Sequence, residues 1–283
     1  MLRYRVPAKI NWFIYVTGKR DDGYHNLLSI MQTVSLYDEL TIEPAESLEL
    51  VTDMNVSVAD NLVFKAASLL KVDTGSNMGA KIHLKKVIPT EAGLGGGSSD
   101  AAFTLLGLNN LWNLGLSTEE LTTLAARLGS DVPFFVSGNC AFVSGRGEVV
   151  TPLNVNAAYD VLIVKPPFSI STAQAYKKIT TYSSPNYCTI DLIKHFCDAL
   201  DSGSFNALLP LMKNDIQEAI MADYPMIDEI RLGLLRNGAQ AAMLSGSGSA
   251  VFGIFKDAHN AEDACRNLAN SIPNCQSFLV KTL

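Results

Sequence analysis

The stretch Pro89-Thr-Glu-Ala-Gly-Leu-Gly-Gly-Gly-Ser-Ser-Asp-Ala-Ala102 decides how this chain is read. Gly93, Gly95, Gly96 and Gly97 fall within five residues. Glycine reaches backbone angles closed to other residues and lets a ligand lie against the main chain. Ser98, Ser99 and Asp100 follow, residue types that cap helix N-termini. Ala101, Leu105, Leu108 and Trp112 then recur at i, i+4, i+7 and i+11, one apolar face of a helix. A glycine loop that runs into a helix start gathers unpaired N–H groups and the positive end of the helix dipole at one point. Phosphate is the usual guest of such a point. The bland alternative is a tight strand-to-helix turn.

The familiar phosphate loops fit poorly. The loop contains no lysine, so it lacks the Gly-Lys-Ser/Thr ending of a P-loop, and Asp100 stands where the dinucleotide fingerprint needs its third glycine. The chain has neither the His-Arg-Asp nor the Asp-Phe-Gly of protein kinases.

Composition sets the outer bounds. A length of 283 residues suits one large domain or two medium ones. With 48% hydrophobic and 18% charged residues, the chain has material for packed cores and does not read as disordered. The formal charge is −6 and lysine and arginine form no run, which argues against a nucleic-acid partner while leaving phosphate ligands open. Cys140, Cys188, Cys197, Cys265 and Cys275 are odd in number and form no Cys-x-x-Cys, so reduced thiols fit better than a disulfide framework or a zinc site. The first residues lack the apolar core of a signal peptide, and no run of about 18 apolar residues occurs. A cytoplasmic protein with no membrane partner is expected. No exposed apolar stripe is legible, so a monomer or weak homodimer is expected.

Periodicity predicts strands at 6–16, 33–43, 80–87, 139–151 and 159–165, and helices at 60–71, after the glycine loop and at 118–128. The last of these opens on Ser117 with Glu120 three residues on, a capping box. Pro166-Pro167 marks a candidate boundary between domains 1–165 and 166–283. Beyond it, helices are predicted at 173–180, 189–200, 205–221, 224–236 and 259–271, with Asp223 near the cap of the fourth. Strands are predicted at 240–245, 250–255 and 277–282. Strands and helices alternate irregularly, which reads as α+β in two domains.

Other residues could carry chemistry. Lys9 and Asn11 sit two apart on a predicted strand, so their side chains leave one face. Asp131, in Gly129-Ser-Asp-Val-Pro133, can cap a short helix that includes Pro133 or serve as a base. Asp22-Gly-Tyr-His25 is a polar turn, and Leu244-Ser-Gly-Ser-Gly-Ser-Ala250 a flexible loop between apolar runs.

Gly-Leu-Gly-Gly-Gly-Ser-Ser-Asp-Ala-Ala resembles the phosphate loop of the galactokinase, homoserine kinase, mevalonate kinase and phosphomevalonate kinase (GHMP) superfamily. It is most similar to the branch acting on 4-diphosphocytidyl-2-C-methyl-D-erythritol. The resemblance implies a two-domain α+β kinase with its active site in the cleft between domains. It implies ATP and Mg²⁺ as cofactors, and phosphorylation of that substrate's 2-hydroxyl in the non-mevalonate isoprenoid pathway. Carried onto this sequence, it implies that Lys9 and Asp131 are catalytic, and that Asn11, Tyr24, His25, Thr172 and Tyr176 bind substrate. Pro89, Gly93, Leu94, Gly95, Gly96, Gly97, Ser98 and Ser99 would hold the nucleotide phosphates, joined by Ser245, Gly246 and Gly248 of a second glycine loop. Asn61 and Lys86 would lie near the adenine. The Mg²⁺ ligands are not implied. Two positions depart from the family pattern, Glu91 in the loop and Met31 where some relatives stack an aromatic on the cytosine. Two alternatives stay open: a GHMP kinase for another small alcohol such as homoserine or mevalonate, and a catalytically silent nucleotide-binding module.

Overall fold

The computed structural model describes residues 1–54, 56–183 and 190–283. Cys188 and residue 189, where one helix was expected to begin, lie outside the described residues; Cys140, Cys197, Cys265 and Cys275 are free thiols.

Two long antiparallel strands organise the first half, β1 (Leu2–Lys19) and β2 (His25–Ala45). β2 runs well beyond the predicted 33–43. Val6–Val16 of β1 and Ser29–Val34 of β2 are buried without interruption, so these stretches lack the apolar-polar alternation that marks a half-exposed strand, which β2 shows only from Leu36 to Glu43. The other edge of β2 is divided. Ser29–Gln32 pair with β5 (Cys140–Ser144), and Glu39–Ala45 pair with β4 (Gly79–Lys85). β3 (Leu48–Thr52), a short strand not predicted, adds parallel to β4, and β6 (Val149–Pro152) adds antiparallel to β5. The predicted strand 139–151 is therefore a hairpin, turned at Gly145 and Gly147 with φ of 68° and 116°.

Helices α1 (Leu62–Thr74), α2 (Gly96–Leu111), α3 (Thr118–Leu128) and α4 (Val132–Ser137) share one hydrophobic core with this sheet. The predicted face of α2 is in that core: Ala101, Leu105 and Leu108 are fully buried and Trp112 nearly so. Each such leucine stabilises the fold by roughly 1.5–3 kcal/mol relative to exposure. The capping box of α3 is present, with Ser117 and Glu120 exchanging side-chain-to-backbone bonds of 3.2 and 2.8 Å.

A second, four-stranded sheet has the order β10-β7-β9-β8, built from β7 (Asp160–Lys165), β8 (Ala241–Leu244), β9 (Val251–Phe255) and β10 (Gln276–Lys281). β7 precedes Pro166-Pro167 yet belongs to this sheet, so the chain changes sheet between β6 and β7 rather than at the prolines. Around it lie α5 (Thr172–Lys177), α6 (Ile190–Ser202), α7 (Phe205–Leu208), α8 (Asp215–Ile220), α9 (Pro225–Arg236) and α10 (Ala258–Ser271). The single helix predicted over 205–221 is broken by a short 3₁₀ turn containing Pro210, and Asn214 then starts α8 by accepting the N–H groups of Ile216 and Gln217. Asp223 does not cap α9; Tyr224 holds that position, and Asp223 instead pairs with Lys178 at 2.7 Å. One core cluster joins Ile10, Trp12 and Phe13 of β1 to Val161, Ile163 and Phe252, so the two sheets share buried contacts.

Candidate active site

The glycine loop turns through left-handed angles at Gly93 (φ 75°) and Gly95 (φ 71°) and enters α2. The N-cap is Gly95, not one of the serines; Ser98, Ser99 and Asp100 occupy the first turns of the helix. A glycine cap supplies no side-chain acceptor, so the first N–H groups of α2 are left for a ligand. Gly95 has no room for a side chain: a Cβ there would lie 2.9 Å from Phe135 Cζ and 3.0 Å from Lys9 Cγ. The second glycine loop seats on the first. Ser245 Oγ donates to the Gly93 carbonyl at 3.1 Å, and Ala250 N–H donates to the Ala92 carbonyl at 3.1 Å. Asn214, which sequence reasoning missed, holds the second loop from below by donating to the carbonyls of Leu244 and Gly246 at 3.1 and 2.9 Å.

These loops line a pocket of about 460 Å³. Of the residues singled out in the sequence, Lys9, Asn11, Asn61, Lys86, Pro89, Gly93, Leu94, Gly95, Gly96, Gly97, Ser98, Asp131, Thr172, Tyr176 and Gly246 all line it. Five do not. Ser245 and Gly248 turn their N–H groups inward within the second loop, donating to the Ala250 and Ser245 carbonyls. Ser99 is buried in α2 with its hydroxyl unpartnered. Tyr24 is half exposed, with the Arg146 guanidinium 5.0 Å from its ring centre. His25 stands behind Tyr176, ring centres 5.3 Å apart, and burial with the charge of Lys19 pulls its imidazole below the ordinary value.

Lys9 is almost fully buried, and its backbone N–H donates to the Leu94 carbonyl at 2.9 Å, which ties β1 to the glycine loop. Its ammonium donates to Asn11 Oδ1 at 2.7 Å and stands 3.4 Å from Asp131 Oδ2. Asp131 occupies the N-cap position of α4 but makes no side-chain capping bond, which leaves its carboxylate to face Lys9. Gly147 packs beside it, where a Cβ would lie 3.7 Å from Asp131 Oδ1. Tyr176 is held above its ordinary value by burial and by the charge of Asp131. Thr172 and Ser247 share a 2.9 Å hydroxyl contact across the pocket.

At the other end, Asn61 caps α1 by accepting the Val63 N–H at 2.9 Å. Lys86 is not the ordinary surface lysine its sequence context suggests. Its ammonium is paired at 2.7 Å with Asp100, expected only as a helix cap, and with the fully buried Asp38, which sequence reasoning did not flag. Asp38 also accepts the N–H groups of Val87 and Ile88, so this cluster fixes the chain where it leaves β4 for the glycine loop. Burial opposes the charge on Lys86, but Asp100 and Asp38 outweigh it and raise its pKa. Burial, reinforced by Asp38 and opposed by Lys86, pushes Asp100 up to about 7.

The Asp100 shift has a consequence for stability. Above the unfolded value of about 3.8 the unfolded chain has released this proton while the native one holds it. Acid therefore favours the native state, and Asp100's contribution falls as pH rises towards 7. Asp100→Asn is expected to gain Tm relative to wild type progressively between pH 4 and 7, read from thermal melts across that range. A difference that stays constant with pH would show that Asp100 does not carry the proton.

Glu91, the departure within the loop, is exposed and has φ 50°; its charge is felt by the buried Lys165. Met31 is buried and lines the pocket.

The chain matches two family models, GHMP kinases N terminal domain over residues 61–139 and GHMP kinases C terminal over residues 196–274. It is 43% identical to a protein of Thermodesulfovibrio yellowstonii named 4-diphosphocytidyl-2-C-methyl-D-erythritol kinase, over 94% of each chain. It is 39% identical to a protein of that name from Heliobacterium modesticaldum, over 89% of this chain and 85% of the other. A crystal structure of 4-(cytidine 5'-diphospho)-2C-methyl-D-erythritol kinase superposes with a TM-score of 0.81 at 31% identity, covering 99% of both chains. With a glycine loop that opens a helix, a lysine–carboxylate pair in the same pocket and likeness along nearly its whole length, the chain belongs to the GHMP kinases and, within them, to the 4-diphosphocytidyl-2-C-methyl-D-erythritol kinase family.

Proposed function

We propose that the chain transfers the γ-phosphoryl group of ATP to the 2-hydroxyl of 4-diphosphocytidyl-2-C-methyl-D-erythritol. The observation that carries this reading is the meeting of Lys9 and Asp131 in the pocket that also holds the N-terminus of α2.

The nucleotide phosphates lie against the free N–H groups at Gly96, Gly97 and Ser98, with the adenine towards Asn61 and Lys86. The alcohol enters between Asp131 and Tyr176, whose ring His25 backs from outside the pocket wall. Asp131 accepts the hydroxyl proton as the oxygen attacks phosphorus, and Lys9 offsets charge on the transferring group. Little covalent work falls to the protein in such transfers, so positioning and electrostatics dominate. The two-domain division, with the reaction in the cleft between domains, belongs to the same proposal.

Among the described residues no group of three or more His, Cys, Asp or Glu side chains could hold a metal. Mg²⁺ normally binds through substrate phosphates, water and one or two protein oxygens, and the Ser98 hydroxyl and Glu91 carboxylate on the pocket wall suit that role. When bound it would neutralise phosphate charge.

ADP release by wild type and His25→Ala tests the substrate side. The variant is expected to raise KM for the cytidine-bearing alcohol about tenfold and to leave KM for ATP within about twofold, since one aromatic and hydrogen-bonding contact is worth about 1–1.5 kcal/mol. Turnover with homoserine or mevalonate, and none with the cytidine compound, would keep the kinase and exclude this substrate.

A further inference from the structure

The hydrogen bonds behind Lys9 run in one direction only. An ammonium carries three donors and no acceptor, so the Asn11 atom 2.7 Å from Lys9 Nζ is the carbonyl oxygen Oδ1. The other end of that amide is then an NH₂ group, and it lies 2.9 Å from Ser29 Oγ, which must accept. The hydroxyl keeps one proton, and this goes to the Phe13 carbonyl, which can only accept. The relay thus starts at Lys9 and ends on the backbone of β1. The register of β1 shifts between Asn11 and Phe13, a bulge of the kind that re-aims side chains beside active sites. Lys9, Asn11 and Ser29 all line the pocket, yet each is at most 2% exposed, so their polar atoms face one another more than solvent.

We infer that Ser29 is a positioning residue for phosphoryl transfer: its hydroxyl fixes which end of the Asn11 amide faces Lys9. The inference rests on the reading of Lys9 and Asp131 as the catalytic pair. Without the hydroxyl, the Asn11 NH₂ loses its buried acceptor and the two orientations of the amide approach one another in energy. One of them presents donors to the ammonium. Lys9 then turns to its other partner, Asp131, and a tightened ion pair occupies the carboxylate that the attacking hydroxyl needs.

The test is a double-mutant cycle on purified protein with ATP and 4-diphosphocytidyl-2-C-methyl-D-erythritol. Ser29→Ala is expected to lower kcat about tenfold, the worth of one buried hydrogen bond, with KM for ATP within about twofold. Ser29→Thr keeps the oxygen and is expected to recover kcat to within about threefold of wild type. In Asn11→Asp the carboxylate has two equivalent ends, so there is nothing to orient. Ser29→Ala should then cost less than about twofold in that background. Unchanged kcat in Ser29→Ala, or equal losses in both backgrounds, overturns the inference.

A second readout needs no turnover. In ¹⁵N-asparagine-labelled protein, Ser29→Ala should speed hydrogen exchange of the Asn11 side-chain amide at least about tenfold. Unaltered exchange overturns the relay even if the kinase reading stands. Faster exchange upholds it even if no alcohol is phosphorylated.

Discussion

Asp131→Asn is expected to lower kcat by about three orders of magnitude, within the 10²–10⁴ range typical of a lost general base. ATP binding should be nearly unchanged. The substitution keeps the shape of the side chain and removes only its charge and its ability to take a proton. Two roles compete for this residue. As a helix cap it would accept backbone N–H groups of α4, and its loss would cost about 1 kcal/mol of stability with little effect on chemistry. The side chain makes no such bond. It faces Lys9 at 3.4 Å, longer than a short charge-assisted hydrogen bond, with about a third of the side chain open to the pocket side. A carboxylate so held is available to a substrate hydroxyl. Steady-state kinetics beside a thermal melt separate the roles. Loss of Tm with kcat preserved would assign Asp131 to the cap.

Gly93→Ala is the second large effect. The residue sits at φ 75°, and a Cβ would lie 1.9 Å from the Ser245 carbonyl oxygen and 3.0 Å from Gly248 N. Both obstacles are backbone, so no rotamer change relieves them. The loops must part, and with them go the Ser245–Gly93 bond and the wall of the pocket proposed to hold phosphate. Left-handed strain and overpacking together should cost about 2–4 kcal/mol of stability, and turnover should fall at least about a hundredfold. Gly115→Ala separates the two causes. Gly115 has φ 69° but nothing within 4 Å of its Cβ position, so only the strain of about 1 kcal/mol applies. Equal losses in the two variants would mean that the contact between the loops carries no weight.

The parts of this site that were legible in the sequence are the local ones. The glycine run and the helix after it announce a phosphate site because loop, cap and apolar face all follow within 24 residues, Pro89 to Trp112. Lys9 and Asn11 are readable because a strand's two-residue period alone puts them on one face. Ser29 and Asp38 were not readable. Ser29 lies where β2 is buried on both faces, Asp38 takes an inward position in an alternating stretch where an apolar residue is expected, and both have remote partners: Asn11 is 18 positions from Ser29, and Lys86 is 48 from Asp38. The identity of the N-cap was missed for a different reason. Ser98, Ser99 and Asp100 have the chemistry of caps, but the left-handed turn at Gly95 starts the helix earlier, so that unpaired N–H groups face the pocket. The break before Asn214 is hidden because Leu209, Leu211 and Met212 continue the apolar pattern, whereas the hairpin at Gly145–Gly147 carries its own turn signal in Ser144-Gly-Arg-Gly-Glu148.

The most direct test follows the phosphorus. Protein, ATP, Mg²⁺ and 4-diphosphocytidyl-2-C-methyl-D-erythritol are mixed and watched by ³¹P NMR. A new phosphomonoester signal should grow in step with ADP while the cytidine diphosphate signals persist, and Asp131→Asn should suppress both. ADP without a new monoester, or a monoester formed from homoserine or mevalonate and never from the cytidine compound, would contradict the account.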